Sequence, residues 1–109
     1  MKIKISKSFS KVVDKLSGKQ LDSVLDVIRE VKSAESIEDI TDCTRLVGYH
    51  SVYRIRIGGY RAFFTFHIEI VDDVVYFRYL VSRGQAYTKK VEKELKRLDD
   101  KITVRAVAV

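Results

Sequence analysis

Between Arg45 and His67 the chain carries four arginines and no acidic residue, namely Arg45, Arg54, Arg56 and Arg61. Guanidinium groups at that density attract phosphate by simple electrostatics, and their planar forks match pairs of phosphodiester oxygens. Gly58-Gly59 reads as a two-residue hairpin loop that tolerates positive φ at both positions. Ile57 then lies opposite Tyr60, and the residue numbers of every cross-strand pair sum to 117. In that register Arg56 opposes Arg61 and His50 opposes His67. Like charges across a ladder destabilise it, so a strand pair shaped only by folding has little use for them. A bound anion resolves the repulsion, and Phe63 on the same face offers a base a stacking surface. The plainer alternatives are that the arginines splay over solvent or meet acids from elsewhere in the chain.

Other reactive residues give weaker signals. His50 and His67 could begin a metal site, but no Cys, Asp or Glu stands at ligand spacing to complete it, so no metal or other cofactor is expected. His67 titrates near neutrality and is the better candidate for proton transfer beside a phosphate, although a half-exposed strand histidine needs no such role. The single Cys43 can form no internal disulfide, which fits a reducing cytosol, and it lacks a nearby partner for nucleophilic chemistry.

Charge is unevenly placed. Residues 1–43 hold eight Lys/Arg and eight Asp/Glu, whereas residues 44–109 hold thirteen against seven and so carry the entire net charge of +6. With 109 residues, 46% of them hydrophobic, one self-supporting domain spanning 1–109 is expected. No apolar run is long enough for a signal peptide or a membrane span, so a cytoplasmic protein is expected.

Several elements must position these residues. Lys2 to Ile5 alternates as a short strand. Ser6 or Ser8 caps a helix with Phe9, Val12, Val13 and Leu16 at helical spacing, stopped near Gly18. Leu21, Val24, Leu25, Ile28 and Val31 form a second stripe, and a helical turn is expected near Ile37 to Ile40. The period then changes to two, with strands at Arg45 to Val47, Val52 to Ile57, Tyr60 to Ile68 and Val74 to Val81. Tyr60 to Ile68 is nearly all apolar and reads as central. Helical spacing returns through Val91 and Leu95, and Ile102 to Val109 forms either an extra strand or a disordered tail. The fold class is α+β: an N-terminal helical hairpin on a twisted antiparallel sheet of about four strands, with a C-terminal helix.

The runs Leu46-Val47-Gly48, Tyr53-Arg54-Ile55-Arg56-Ile57-Gly58-Gly59-Tyr60-Arg61 and Ser82-Arg83-Gly84-Gln85-Ala86-Tyr87 resemble the RelE/ParE superfamily of bacterial type II toxins. The resemblance covers about residues 2–98. Its RelE-like branch implies an mRNA interferase that cleaves message in the ribosomal 30S A site by metal-free transesterification through the ribose 2′-OH. On that likeness Arg54, Arg56, Arg61, Arg83 and Tyr87 are the catalytic set, and the hairpin face itself offers Phe63 and His67, with Arg54 and Arg56, as contacts to the RNA. Family members often place Lys where Arg54 and Arg56 stand, and a guanidinium is a poor proton acceptor. The base would then be His67 or Tyr87, His67 being preferred. The resemblance also implies an acidic antitoxin as partner in a heteromeric complex. The alternatives are a ParE-like inhibitor of DNA gyrase and a binding module without catalysis.

Overall fold

The computed structural model describes residues 1–108, with side chains described through 102. Five strands form one sheet in the order β1 (Lys2–Ile5), β5 (Val74–Ser82), β4 (Tyr60–His67), β3 (Val52–Ile57) and β2 (Cys43–Arg45). The expected meander supplies four of them, antiparallel throughout, with β4 at the centre. β1 joins as a fifth strand, parallel to β5, with Ile3 beside Val75 and Ile5 beside Phe77, so the sheet is mixed rather than antiparallel. β2 begins two residues before the expected start and ends at Arg45, because Leu46 to Ser51 forms the connection and leaves Val47 fully exposed.

Two helices pack on one face: α1 (Lys7–Val13) and α2 (Gly18–Ser33). Ser6 caps α1, its hydroxyl accepting from Phe9 N–H at 3.0 Å and donating to the Arg78 carbonyl at 2.6 Å. α1 is shorter than its apolar stripe, since tight turns from Lys15 to Val12 and from Leu16 to Val13 end the helix while Leu16 still reaches the core. Gly18, at φ +58, opens α2 rather than closing α1. The main core joins Phe9, Val24 and Val31 of the helices to Ile55, Ile57, Ala62, Phe64, Val75, Phe77 and Leu80 of the sheet.

The opposite face carries the third helix, α3 (Lys89–Ala108). Leu95 and Ala86 pack there on Val52 and Phe63 in a second, smaller apolar cluster. Residues 102–108 continue this helix instead of pairing as a strand or trailing away, and Val109 lies outside the described residues. Asp99 fastens α3 to the sheet. Its fully buried carboxylate accepts from the backbone N–H of Ser51 at 2.7 Å and of His50 at 3.0 Å.

Candidate nucleic-acid interface

The turn at Gly58-Gly59 sets the site. Gly58 adopts φ +56 and Gly59 stays out of that region, so one glycine, not both, takes the left-handed conformation. Pairing follows the expected register from Ile57↔Tyr60 through Arg56↔Arg61 to Val52↔Thr65. Alternation then sends Tyr53, Ile55, Ile57, Tyr60, Ala62 and Phe64 to the main core and leaves Arg54, Arg56 and Arg61 together on the opposite face.

The segment after β5 runs beside the group. Arg83 begins a short 3-10 turn, and its N–H donates to Gly59 O at 2.8 Å, tying this segment to the hairpin loop. Tyr87 follows and presents an oxygen that accepts from Arg54 Nη1 at 2.7 Å. The Tyr87 ring stands edge-on to Phe63, with centroids 6.3 Å apart at 87°. Arg61 turns toward the loop, its Nη1 donating to Gly58 O at 2.9 Å and Tyr60 O at 2.8 Å. Among the described residues none of Arg54, Arg56, Arg61 and Arg83 forms an ion pair.

Two clefts border the group. Arg54 and Arg56 share one of about 230 Å³ with Asp42, Cys43 and Thr44. The Cys43 thiol is pushed up to about 11 by burial, against the opposing pull of the Arg54 charge, so it stays protonated at neutral pH. The second cleft, about 200 Å³, lies between Leu46, Val47 and Tyr49 on one side and Ala86, Tyr87 and Leu95 on the other.

Three expected placements change. Phe63 is fully buried beneath α3, where its ring meets Tyr87 edge-on and lines the second cleft rather than standing on an open face. His67 pairs with Val74 at the far end of β4, beyond the residue that α3 covers, and its Nε2 lies 2.9 Å from Thr65 Oγ1. It does not join the arginines. The ladder ends at Val52↔Thr65, so His50 and His67 never oppose each other, and His50 N–H turns to Asp99 instead. Two residues went unnoticed in the sequence, Asp99 as the anchor of α3 and Arg78 in β5. A change of parity marks Arg78: Val75, Phe77 and Leu80 all face the main core, which strict alternation forbids.

No family model matches the chain. It is 32% identical over 88 residues to a Methanocaldococcus jannaschii protein named Toxin RelE3, covering 80% of this chain and 96% of that one. Among solved structures it is similar to a RelB–RelE antitoxin–toxin complex from Methanococcus jannaschii, with TM-score 0.59, 23% identity and coverage of 77% and 94%. An archaeal RelE–RelB complex from Pyrococcus horikoshii OT3 also aligns, with TM-score 0.59, 26% identity and coverage of 78% and 97%. Matching sequence over nearly the whole relative, together with the same fold, makes this chain a member of the RelE-like toxin family.

Proposed function

We propose that the chain is the toxin of a toxin–antitoxin pair and acts in the cytoplasm by cleaving messenger RNA on the ribosome. The observation that carries this reading is the Arg54–Tyr87 hydrogen bond within a group of arginines that lacks ion pairs. Four cations placed by the strands and turn, none of them in an ion pair among the described residues, suit a ligand that brings its own negative charge.

The reaction that fits is attack of a ribose 2′-oxygen on the adjacent phosphorus. The new O2′–P bond forms as P–O5′ breaks, and the 2′-OH proton passes to solvent water while water returns one to O5′, giving a 2′,3′-cyclic phosphate and a 5′-hydroxyl. Charge develops on the phosphoryl oxygens, where Arg56 and Arg61 neutralise it, while Arg83 stabilises the leaving O5′. Because the Tyr87 oxygen accepts from Arg54, its own proton points elsewhere and can donate to a substrate oxygen. The mainly apolar cleft beside Tyr87, which Phe63 also lines, takes a base. With His67 at the far end of β4, Tyr87 is the titratable side chain that hydrogen-bonds to Arg54, and in this reading it positions the 2′-OH. The relatives crystallised as RelB–RelE complexes support an acidic antitoxin that covers this basic face.

Primer extension on message from cells induced to make the protein tests the reading. Discrete new 5′ ends bearing hydroxyls are expected, and they should vanish with Tyr87→Phe. Intact message accompanied by a DNA-damage response would overturn it in favour of gyrase inhibition.

A further inference from the structure

On the same face, on the other side of α3, the sheet contains an irregularity. β4 and β5 pair Phe63 with Tyr79 and then Phe64 with Phe77, so Arg78 is an extra residue opposite no partner. This β-bulge turns Arg78 onto the face of Tyr76 and Tyr79 instead of into the main core. The surroundings sustain it: the Arg78 carbonyl accepts from the Ser6 hydroxyl at 2.6 Å. Arg78 Nε donates to Thr65 Oγ1 at 3.0 Å, and the guanidinium carbon lies 3.6 Å from the centroid of the Tyr76 ring.

The guanidinium is thus oriented on two sides, half-buried, and in no ion pair among the described residues. Burial lowers its pKa, the mark of a cation that lacks a compensating carboxylate. Lys4, paired with Tyr76 across the β1–β5 ladder, lines a cleft of about 190 Å³ with it. Glu69 is the one acid in that lining, and it is exposed.

We propose that Arg78 and Lys4 form a second phosphate-binding site, which holds the backbone of an RNA segment other than the one cleaved. The inference rests on the reading that the ligand is RNA. Thr65 occupies the Nε edge of Arg78 and so removes the side-on fork that a planar carboxylate prefers. What is left is the pair of terminal nitrogens, with Lys4 on the same cleft, and oxygens spread tetrahedrally around phosphorus can meet both. Thr65, which holds Arg78, lies four residues beyond Arg61 along β4, about 13 Å at strand rise, and α3 stands on Phe63 between them. The two sites therefore take separate stretches of RNA, as in a folded RNA that surrounds the substrate strand.

The test measures the affinity and salt dependence of the whole protein for a fluorescent single-stranded oligoribonucleotide of about 16 nucleotides. Arg78→Gln is expected to weaken binding about tenfold and to reduce the log–log salt slope by about one, as loss of one phosphate contact does. Lys15→Gln removes a charge from the helical side and should change affinity less than about twofold. On message-programmed ribosomes Arg78→Gln should raise KM and leave kcat unchanged. Arg78→Lys should recover part of the loss. If Arg78→Gln lowers the melting temperature, Lys4→Gln at its exposed edge position carries the test. Equal effects of the site and control substitutions would overturn the proposal. So would a poly-glutamate peptide that binds in an Arg78-dependent way while RNA binding does not change. Failure of the cleavage reading itself would show in the wild-type protein, which would leave message intact.

Discussion

The two faces of one sheet solve different physical problems. On the helical side, alternate residues of β3, β4 and β5 meet α1 and α2, and the rings of Phe9, Phe77, Phe64 and Tyr53 follow one another with centroids 5.1 to 5.9 Å apart. On the other side the same strands present arginines, and a single helix rests on a small cluster held by one buried carboxylate. One surface is closed by packing, where every methylene contributes. The other is left with cations at both ends of an apolar patch that form no ion pair among the described residues. Stability should therefore reside on the first face and function on the second, and the difference can be broken by substitution.

The largest loss is expected at Phe64, which is fully buried at the centre of the aromatic chain. Phe64→Ala should cost about 3–5 kcal/mol through lost burial and the cavity left behind. In a domain of this size that amount is most of the folding free energy, so denaturant titration should show a largely unfolded chain. A loss below about 1 kcal/mol would mean that the core is not where the stability lies.

On the second face the greatest loss should come from Asp99→Ala, which strands the N–H groups of His50 and Ser51. Leaving these part-buried donors without the carboxylate costs about 1 kcal/mol, since water reaches them in part. Amide exchange should quicken first in α3 and the 46–51 connection, with the sheet protected as before. Uniform acceleration would show that α3 belongs to the same cooperative unit as the core.

The contrast between the faces also explains what could be read from the sequence. The Gly58-Gly59 loop fixed the register of β3 on β4, and with it which arginines stand together, because a two-residue turn leaves no slack. Helix stripes and strand alternation are likewise local signals, as Val24, Val31, Ile55 and Phe64 illustrate. Three features depend on contacts distant in sequence and were not legible: the parallel docking of β1 on β5, the burial of Phe63 under α3, and the end of the ladder before His50. A helix with an apolar stripe must cover something, yet Val91 and Leu95 do not say which face. The bulge at Arg78 was encoded in the parity change from Phe77 to Leu80, but uninterrupted alternation masks such a shift unless both partners are known.

A smaller effect should appear at Cys43, which packs on the helical side yet lines the arginine cleft. Its thiol is pushed up to about 11, mainly by burial. A raised value in the folded chain means that the neutral form is favoured there. The stability this contributes is present below the unfolded thiol's ordinary value and is lost as pH climbs toward 11. Alkylation by iodoacetamide should be slow at pH 8 compared with the unfolded chain and should accelerate up to about pH 11, since the thiolate is the nucleophile. A folded protein that reacts at pH 8 as fast as the unfolded one would show that Cys43 opens to solvent with the cleft.

The smallest change in stability, combined with the largest in function, is expected for Arg61→Ala. Arg61 sits directly across from Arg56, and removing one of two opposed cations relieves repulsion. The substitution also removes donations from Nη1 to Gly58 O and Tyr60 O, carbonyls at an exposed turn that water can serve in its place. The two effects oppose each other, and the net shift should stay within about 0.5 kcal/mol of wild type. Growth inhibition should disappear, because in the proposed reaction the developing phosphoryl charge then loses one of the two guanidinium groups that neutralise it. Thermal melts and growth curves on the same variant decide the matter. If toxicity and stability fall together, Arg61 is a structural part of the hairpin and the two faces are not as separate as their chemistry implies. If neither falls, the transition-state charge is carried by Arg54, Arg56 and Arg83, and the hairpin's opposed arginines serve some other ligand.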